Sequence, residues 1–189
     1  MRRIAFTAAL LLLLANLLLP GCSTDQVTRT PQPIDKATYD KMLTTLEQGE
    51  FVKLATHFRN REEINTYMQD RSDTFLSMGS MEENGLTYDD YNPINRAVVV
   101  GLSLVFETKT GMLKEVGVGL SPAVAKAAEE ILAGAVFSQD EKSEPPFLSK
   151  KTYYFGYLPV GEDKLDITME KTTLPDKALY SIIYQQNGG

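Results

Sequence analysis

Cys22 is the only cysteine in the chain, and it closes an apolar run that begins at Ile4. With that thiol consumed at the front end, the rest can build neither a disulfide nor a thiolate metal site. Whatever folds downstream must therefore hold by an ordinary apolar core. The sequence can supply one, being 43% hydrophobic. A chain of ~150 residues buries close to 70% of its unfolded surface in a single domain.

Met1-Arg2-Arg3 gives a short basic start, and Ile4–Leu19 is apolar except for Thr7 and Asn16. A basic start, an apolar stretch and a small residue before the cut make a secretory signal. As a membrane span the run is too short, since about 20 apolar residues are needed to cross the hydrocarbon. The run ends in Leu19-Pro20-Gly21-Cys22.

Leu19, Gly21 and Cys22 resemble the lipobox of bacterial lipoprotein precursors, with Pro20 where that pattern has Ala, Ser or Thr. The resemblance covers residues 1–23 and implies cleavage between Gly21 and Cys22. It also implies a diacylglycerol group on the Cys22 sulfur, with palmitate-type acylation of the new amino end. That covalent lipid would be the only prosthetic group, and the bilayer the first partner. Two or more acyl chains anchor stably where one holds only marginally. Ser23 follows the cysteine where Asp would retain an enterobacterial lipoprotein at the inner membrane. The resemblance thus implies a lipid-anchored protein of the bacterial cell envelope, at the outer membrane and facing the periplasm. The expected organisation is a signal peptide over 1–21, an acylated cysteine and flexible tether over 22–34, and one α+β domain over 35–186. Within the tether, the stretch Ser23–Pro33, with Pro31 and Pro33, reaches about 36 Å when fully extended.

Removing residues 1–21 takes away Arg2 and Arg3 and no acid, so the mature chain is more acidic than the formal −6 of the whole. Nucleic-acid binding depends on phosphate neutralisation by basic side chains, and no basic run is present. No nucleic-acid partner is expected.

Asp35 is placed to cap a helix that turns Tyr39, Met42, Leu43 and Leu46 inward, with a stop at Gly49. A second helix carries Phe51, Leu54, Ala55 and Phe58 on one stripe. Asn60 and Glu63 form a capping-box pair that opens a third, with Ile64, Tyr67 and Met68 inward. From Ser77 to Asn95 the periodicity dissolves. Gly79, Asn84-Gly85 and the acids Glu82, Glu83, Asp89 and Asp90 read as a long loop, folding back at most in a loose hairpin. Ala97–Glu107 then alternates as a strand, with Met112–Leu120 as its hairpin mate. Ser121-Pro122 starts a helix that runs to about Val136. Ser138–Lys151 reads as a surface loop. Strands follow over Thr152–Leu158, Lys164–Lys171 and Ala178–Gln185. The expected fold class is α+β: an N-terminal helical unit, then an antiparallel sheet of about five strands with one inserted helix packed on a face.

Chemistry-bearing residues are sparse. His57 is the only histidine and has no partner at metal-ligand spacing, so no metal site and no catalytic residue is assigned. The acids Glu82, Glu83, Asp89 and Asp90 do not match a calcium-loop spacing and read as a solvated loop. Tyr153, Tyr154, Tyr157, Tyr180 and Tyr184 crowd the last strands. Aromatic strips of this kind pack against one another or form a binding face for sugars or a partner protein.

The stretch Tyr39–Phe51, followed by Leu54 and Phe58, resembles the opening helix pair of cystatin-like or NTF2-like domains. That resemblance implies a small-ligand pocket under a curved sheet. The expected function is a non-enzymatic accessory or scaffold for a periplasmic or outer-membrane assembly, bound to an envelope protein partner. The alternatives are the small-ligand-binding module and a cell-wall hydrolase, the latter requiring His57 in a cleft.

Overall fold

A computed structural model of the chain describes residues 31–134, 138–143 (backbone alone), 150–160 and 163–186. The signal peptide, Cys22, the first part of the tether and the end of the helix expected to reach Val136 lie outside the described residues.

Among the described residues, three short helices follow Ile34. Asp35 caps α1 (Lys36–Thr45): its carboxylate accepts from the Thr38 backbone N–H at 2.9 Å and from the Thr38 hydroxyl at 2.8 Å. The helix ends where Glu47 turns left-handed, at φ 54°, and the Gln48 N–H reaches back to the Met42 carbonyl. The next helix, α2 (Gly49–His57), buries Phe51, Leu54 and Ala55. Asn60 caps α3 (Arg61–Gln69) by accepting from the Glu63 N–H at 3.0 Å, while the Glu63 carboxylate accepts from the Arg59 N–H at 3.2 Å, so half of the capping box expected from sequence forms. Glu50 ties α2 to α3, accepting from the Tyr67 hydroxyl at 2.8 Å and from Arg71 Nε at 2.6 Å.

These helices are not a unit of their own. Each carries a single apolar stripe, and all of the stripes join one core with the sheet. The strands are β1 (Gln32–Pro33), β2 (Phe75–Glu83), β3 (Leu86–Pro93), β4 (Val99–Glu107), β5 (Leu113–Leu120), β6 (Ser138–Ser143), β7 (Lys150–Val160), β8 (Asp163–Thr173) and β9 (Ala178–Gln186). They form a nine-stranded sheet in the order β1-β7-β8-β9-β5-β4-β3-β2, with β6 also paired to β7. The sheet is mixed, because β1 runs parallel to β7 while the other pairs are antiparallel. After a 3-10 turn at Pro122–Val124, α4 (Ala125–Gly134) packs beside α1 and over β9.

The expected helical unit followed by about five antiparallel strands is therefore corrected to a predominantly β architecture. The additional strands are those that carry no apolar alternation. In β2 only Phe75 is buried, since the strand lies at the margin of the sheet. Its mate β3 does alternate, but through Thr87, Asp89 and Pro93, two of them polar. The two are joined at Asn84-Gly85, both with positive φ, the conformation of a two-residue hairpin turn. The stretch Ser77–Asn95 is thus mostly a hairpin rather than a loop. Ser138–Ser143 is polar throughout yet pairs with β7.

Register sorts the side chains into two faces, because paired residues lie on the same side. Leu104, Val116, Tyr184, Ile167 and Gly156 form one continuous row across β4, β5, β9, β8 and β7 on the face that the helices cover. At its far end Ile34, just past β1, sits over Gly156, and its N–H donates to the Tyr157 carbonyl at 2.9 Å. β1 and β2 are the two opposite margins of the sheet.

Candidate functional site: the cleft at the free margin

The N-terminal residue of α3 meets the β2–β3 hairpin through a two-pronged ion pair. Arg61 donates from Nε to Asp89 Oδ2 and from Nη2 to Asp89 Oδ1, both at 2.7 Å. The Ser80 hydroxyl also donates to Asp89 Oδ1, and Arg61 Nη2 approaches the Ser80 oxygen at 3.0 Å. Asp89 is only 4% exposed, so this geometry satisfies a carboxylate taken out of water. Its hydrogen bonds push the Arg61 guanidinium pKa further up, against the opposing effect of burial. Tyr91, one alternation further on, has its phenol pKa raised by burial first and by the Asp89 charge second.

Beside this pair lies a cleft of about 450 Å³ between α3 and the hairpin. Asn65, Met68 and Gln69 line it from α3, and Ser77 and Ser80 from β2. Leu76 also lines it, although register assigns that side chain to the opposite face, with Asn92. The cleft therefore opens around the outer margin of β2. That margin is unusually apolar: Leu76 is 60% exposed, Met78 58% and Met81 55%, with Ile94 exposed beside them. At the bulge between Ser77 and Gly79, Met78 is the extra residue.

The residues singled out from sequence are placed as follows. Tyr184 is fully buried beneath the helices and donates to Gln48 Oε1 at 3.0 Å. Tyr180 is buried on the same face and donates to Glu129, while half-buried Tyr154 packs against that core. Tyr153 and Tyr157 point to the opposite face, where the Tyr153 ring stacks with Phe155 at 6.3 Å and Lys164 Nζ lies 4.6 Å from the Tyr157 ring. The five tyrosines are thus divided between the two faces. His57 is exposed, its Nδ1 2.8 Å from the Thr56 hydroxyl. Of the four hairpin acids, Asp89 is taken up by Arg61, while Glu82, Glu83 and Asp90 are exposed. Among the described residues no three His, Cys, Asp or Glu side chains are grouped to hold a metal ion. Nor is any helix among them long and apolar enough to cross a membrane.

No family model, curated protein or solved structure matches this chain. The functional reading therefore rests on residues and geometry alone.

Sequence reasoning missed the Arg61–Asp89 pair and the cleft beside it. The one available signal was that Thr87, Asp89 and Tyr91 keep a period of two. A buried acid in such a run requires a cation from elsewhere, and nothing local identifies Arg61 as that cation.

Proposed function

We propose that this chain is a lipid-anchored accessory protein of the bacterial envelope, a non-enzymatic scaffold held to its membrane through Cys22. Leu19, Gly21 and Cys22 support the anchor. The observation that carries the scaffold reading is the placement of β1 and β2 at opposite margins of one sheet. β1 is the first described strand and lies at the end of the expected tether, so the tether side is one margin and the exposed apolar strand is the other. Seven strand-to-strand steps separate them in that order. At roughly 4.8 Å per step the separation along the sheet is about 34 Å. A domain tethered at β1 presents β2 away from its attachment point, as a scaffold needs to do.

The test is metabolic labelling with radioactive palmitate in a bacterial host, with Cys22→Ser as control. Label on the wild type and none on the variant, together with fractionation to the outer membrane, supports the reading. Release of an unlabelled wild-type protein overturns it.

A further inference from the structure

We propose that the outer margin of β2 accepts an extended segment of a partner protein as an added strand, and that this segment alternates apolar with basic residues. The proposal deepens the scaffold reading above and rests on it. Three features of the margin select such an occupant.

First, β2 ends the sheet, and no described strand lies on its outer side. A terminal strand presents backbone donors and acceptors that another strand can pair with. Sheets commonly blunt such margins with a bulge and charges. Here the bulge sits at Ser77–Gly79, where the Ser77 hydroxyl accepts the Gly79 N–H at 3.3 Å. Beyond it, Ser80–Glu83 keeps unbroken register with β3 and is the stretch left to pair.

Second, both sides of an added strand find a complementary surface. On one side lie Leu76, Met78 and Met81, an apolar strip without cover among the described residues. On the other lies the cleft, overhung by Asn65 and Gln69 of α3. Side chains of an extended segment point alternately to these two surfaces.

Third, the only charged side chains of β2 itself, Glu82 and Glu83, are both acidic. Glu82 and Glu83 end β2, Asp73 precedes it, and Glu62 lies on the overhanging helix, all four exposed. Arg61, the cation within the cleft, is already committed to Asp89. Basic residues on the cleft side would meet Glu82, which shares that face with Ser80 by register, and acidic ones would be repelled.

The experiment uses the purified full-length mature chain in detergent micelles and a fluorescent heptapeptide of alternating Lys and Val. Anisotropy gives affinity, and hydrogen exchange maps the contact. The proposal expects saturable binding, slowed exchange at Ser80–Glu83, and at least tenfold weaker binding with Met81→Lys and with the pair Glu82→Lys and Glu83→Lys. These side chains are exposed, and unchanged circular dichroism confirms that each variant folds. A peptide with Glu in place of Lys, or with alternate backbone nitrogens methylated, should lose binding. No binding, retained binding by the methylated peptide, or protection elsewhere overturns the proposal. Palmitate labelling is read on the same preparation. A labelled chain that ignores the peptide removes the added strand and keeps the anchor. An unlabelled chain that binds it supports the strand site while removing the anchor.

Discussion

Ile34 lies directly on the backbone of Gly156: a Cβ built at that glycine stands 2.6 Å from Ile34 Cγ1 and 3.0 Å from Cδ1. The contact lets β1 close against β7. Gly156→Ala should push Ile34 off the sheet and destabilise the fold by roughly 1–3 kcal/mol, the usual cost of overpacking. In an Ile34→Ala background the same change should cost less, because the two nearest obstructing atoms are gone and only the Gln32 carbonyl oxygen, 3.2 Å from that Cβ, remains. Urea denaturation of the two single variants and the double variant measures this coupling.

Arg61 and Asp89 make a second test. Arg61→Ala leaves a buried carboxylate without its cation and should cost about 3 kcal/mol. Replacing both with Leu should recover most of that loss, since the charge is then removed rather than stranded. Thermal melts of the two variants beside wild type distinguish the cases. If Arg61→Ala melts like wild type, water reaches Asp89 and its carboxylate does not depend on Arg61.

Tyr184 and Gln48 are both fully buried, and the phenol donates to the amide oxygen across the helix–sheet junction. Tyr184→Phe keeps the packing but deprives Gln48 Oε1 of its donor. The expected loss is about 1–2 kcal/mol. Gln48 also donates from Nε2 to the Leu46 carbonyl at 2.6 Å, so its own removal should disturb the turn after α1 as well. Gln48→Leu should therefore cost more than Tyr184→Phe in the same denaturation assay.

Two glutamates predict opposite responses to acid. Lys171 and the Tyr180 hydroxyl both donate to Glu129 and hold its pKa below the ordinary 4.5. Its contribution is present above that value and is lost as pH falls through the lower, folded value. Glu115 is shifted the other way, its pKa raised by burial despite the Gln185 donor. Ionised Glu115 therefore weakens the fold at neutral pH, and protonation relieves the penalty. Glu129→Gln should be less stable than wild type at neutral pH and approach it as the pH falls through the lowered folded value. Glu115→Gln should be more stable at neutral pH, with the gap closing in acid. Denaturation midpoints across that range measure both.

The three N-terminal helices and the strands β4, β5, β7, β8 and β9 were legible because their buried faces are apolar and periodic. Met42, Phe51 and Ile64 mark helical stripes; Leu102, Leu104 and Phe106 mark a strand. What escaped was held by other means. β2 is exposed along most of its length, so no face of it is marked by hydrophobicity. β3 buries Thr87 and Asp89, which local patterning reads as turn residues until Arg61 and Thr108 supply their partners. β1 depends on a glycine that is distant in sequence. The cleft combines two of these features, α3 and the β2 margin, and so was hidden with them. The tyrosines were visible as a cluster, but only register separates Tyr180 and Tyr184 from Tyr153 and Tyr157.

The position of β9 has a consequence for how the molecule is made. It is the final strand in chain order, yet it lies between β8 and β5. Until Ala178–Gln186 arrives, the early strands β2 to β5 and the late strands β6 to β8 share no seam. A polypeptide emerging N-terminus first, from a ribosome or a translocation pore, thus joins β2–β5 to β6–β8 in one sheet only once β9 is out, although β1 can meet β7 before then. Ala178–Gln186 then closes the sheet from its middle.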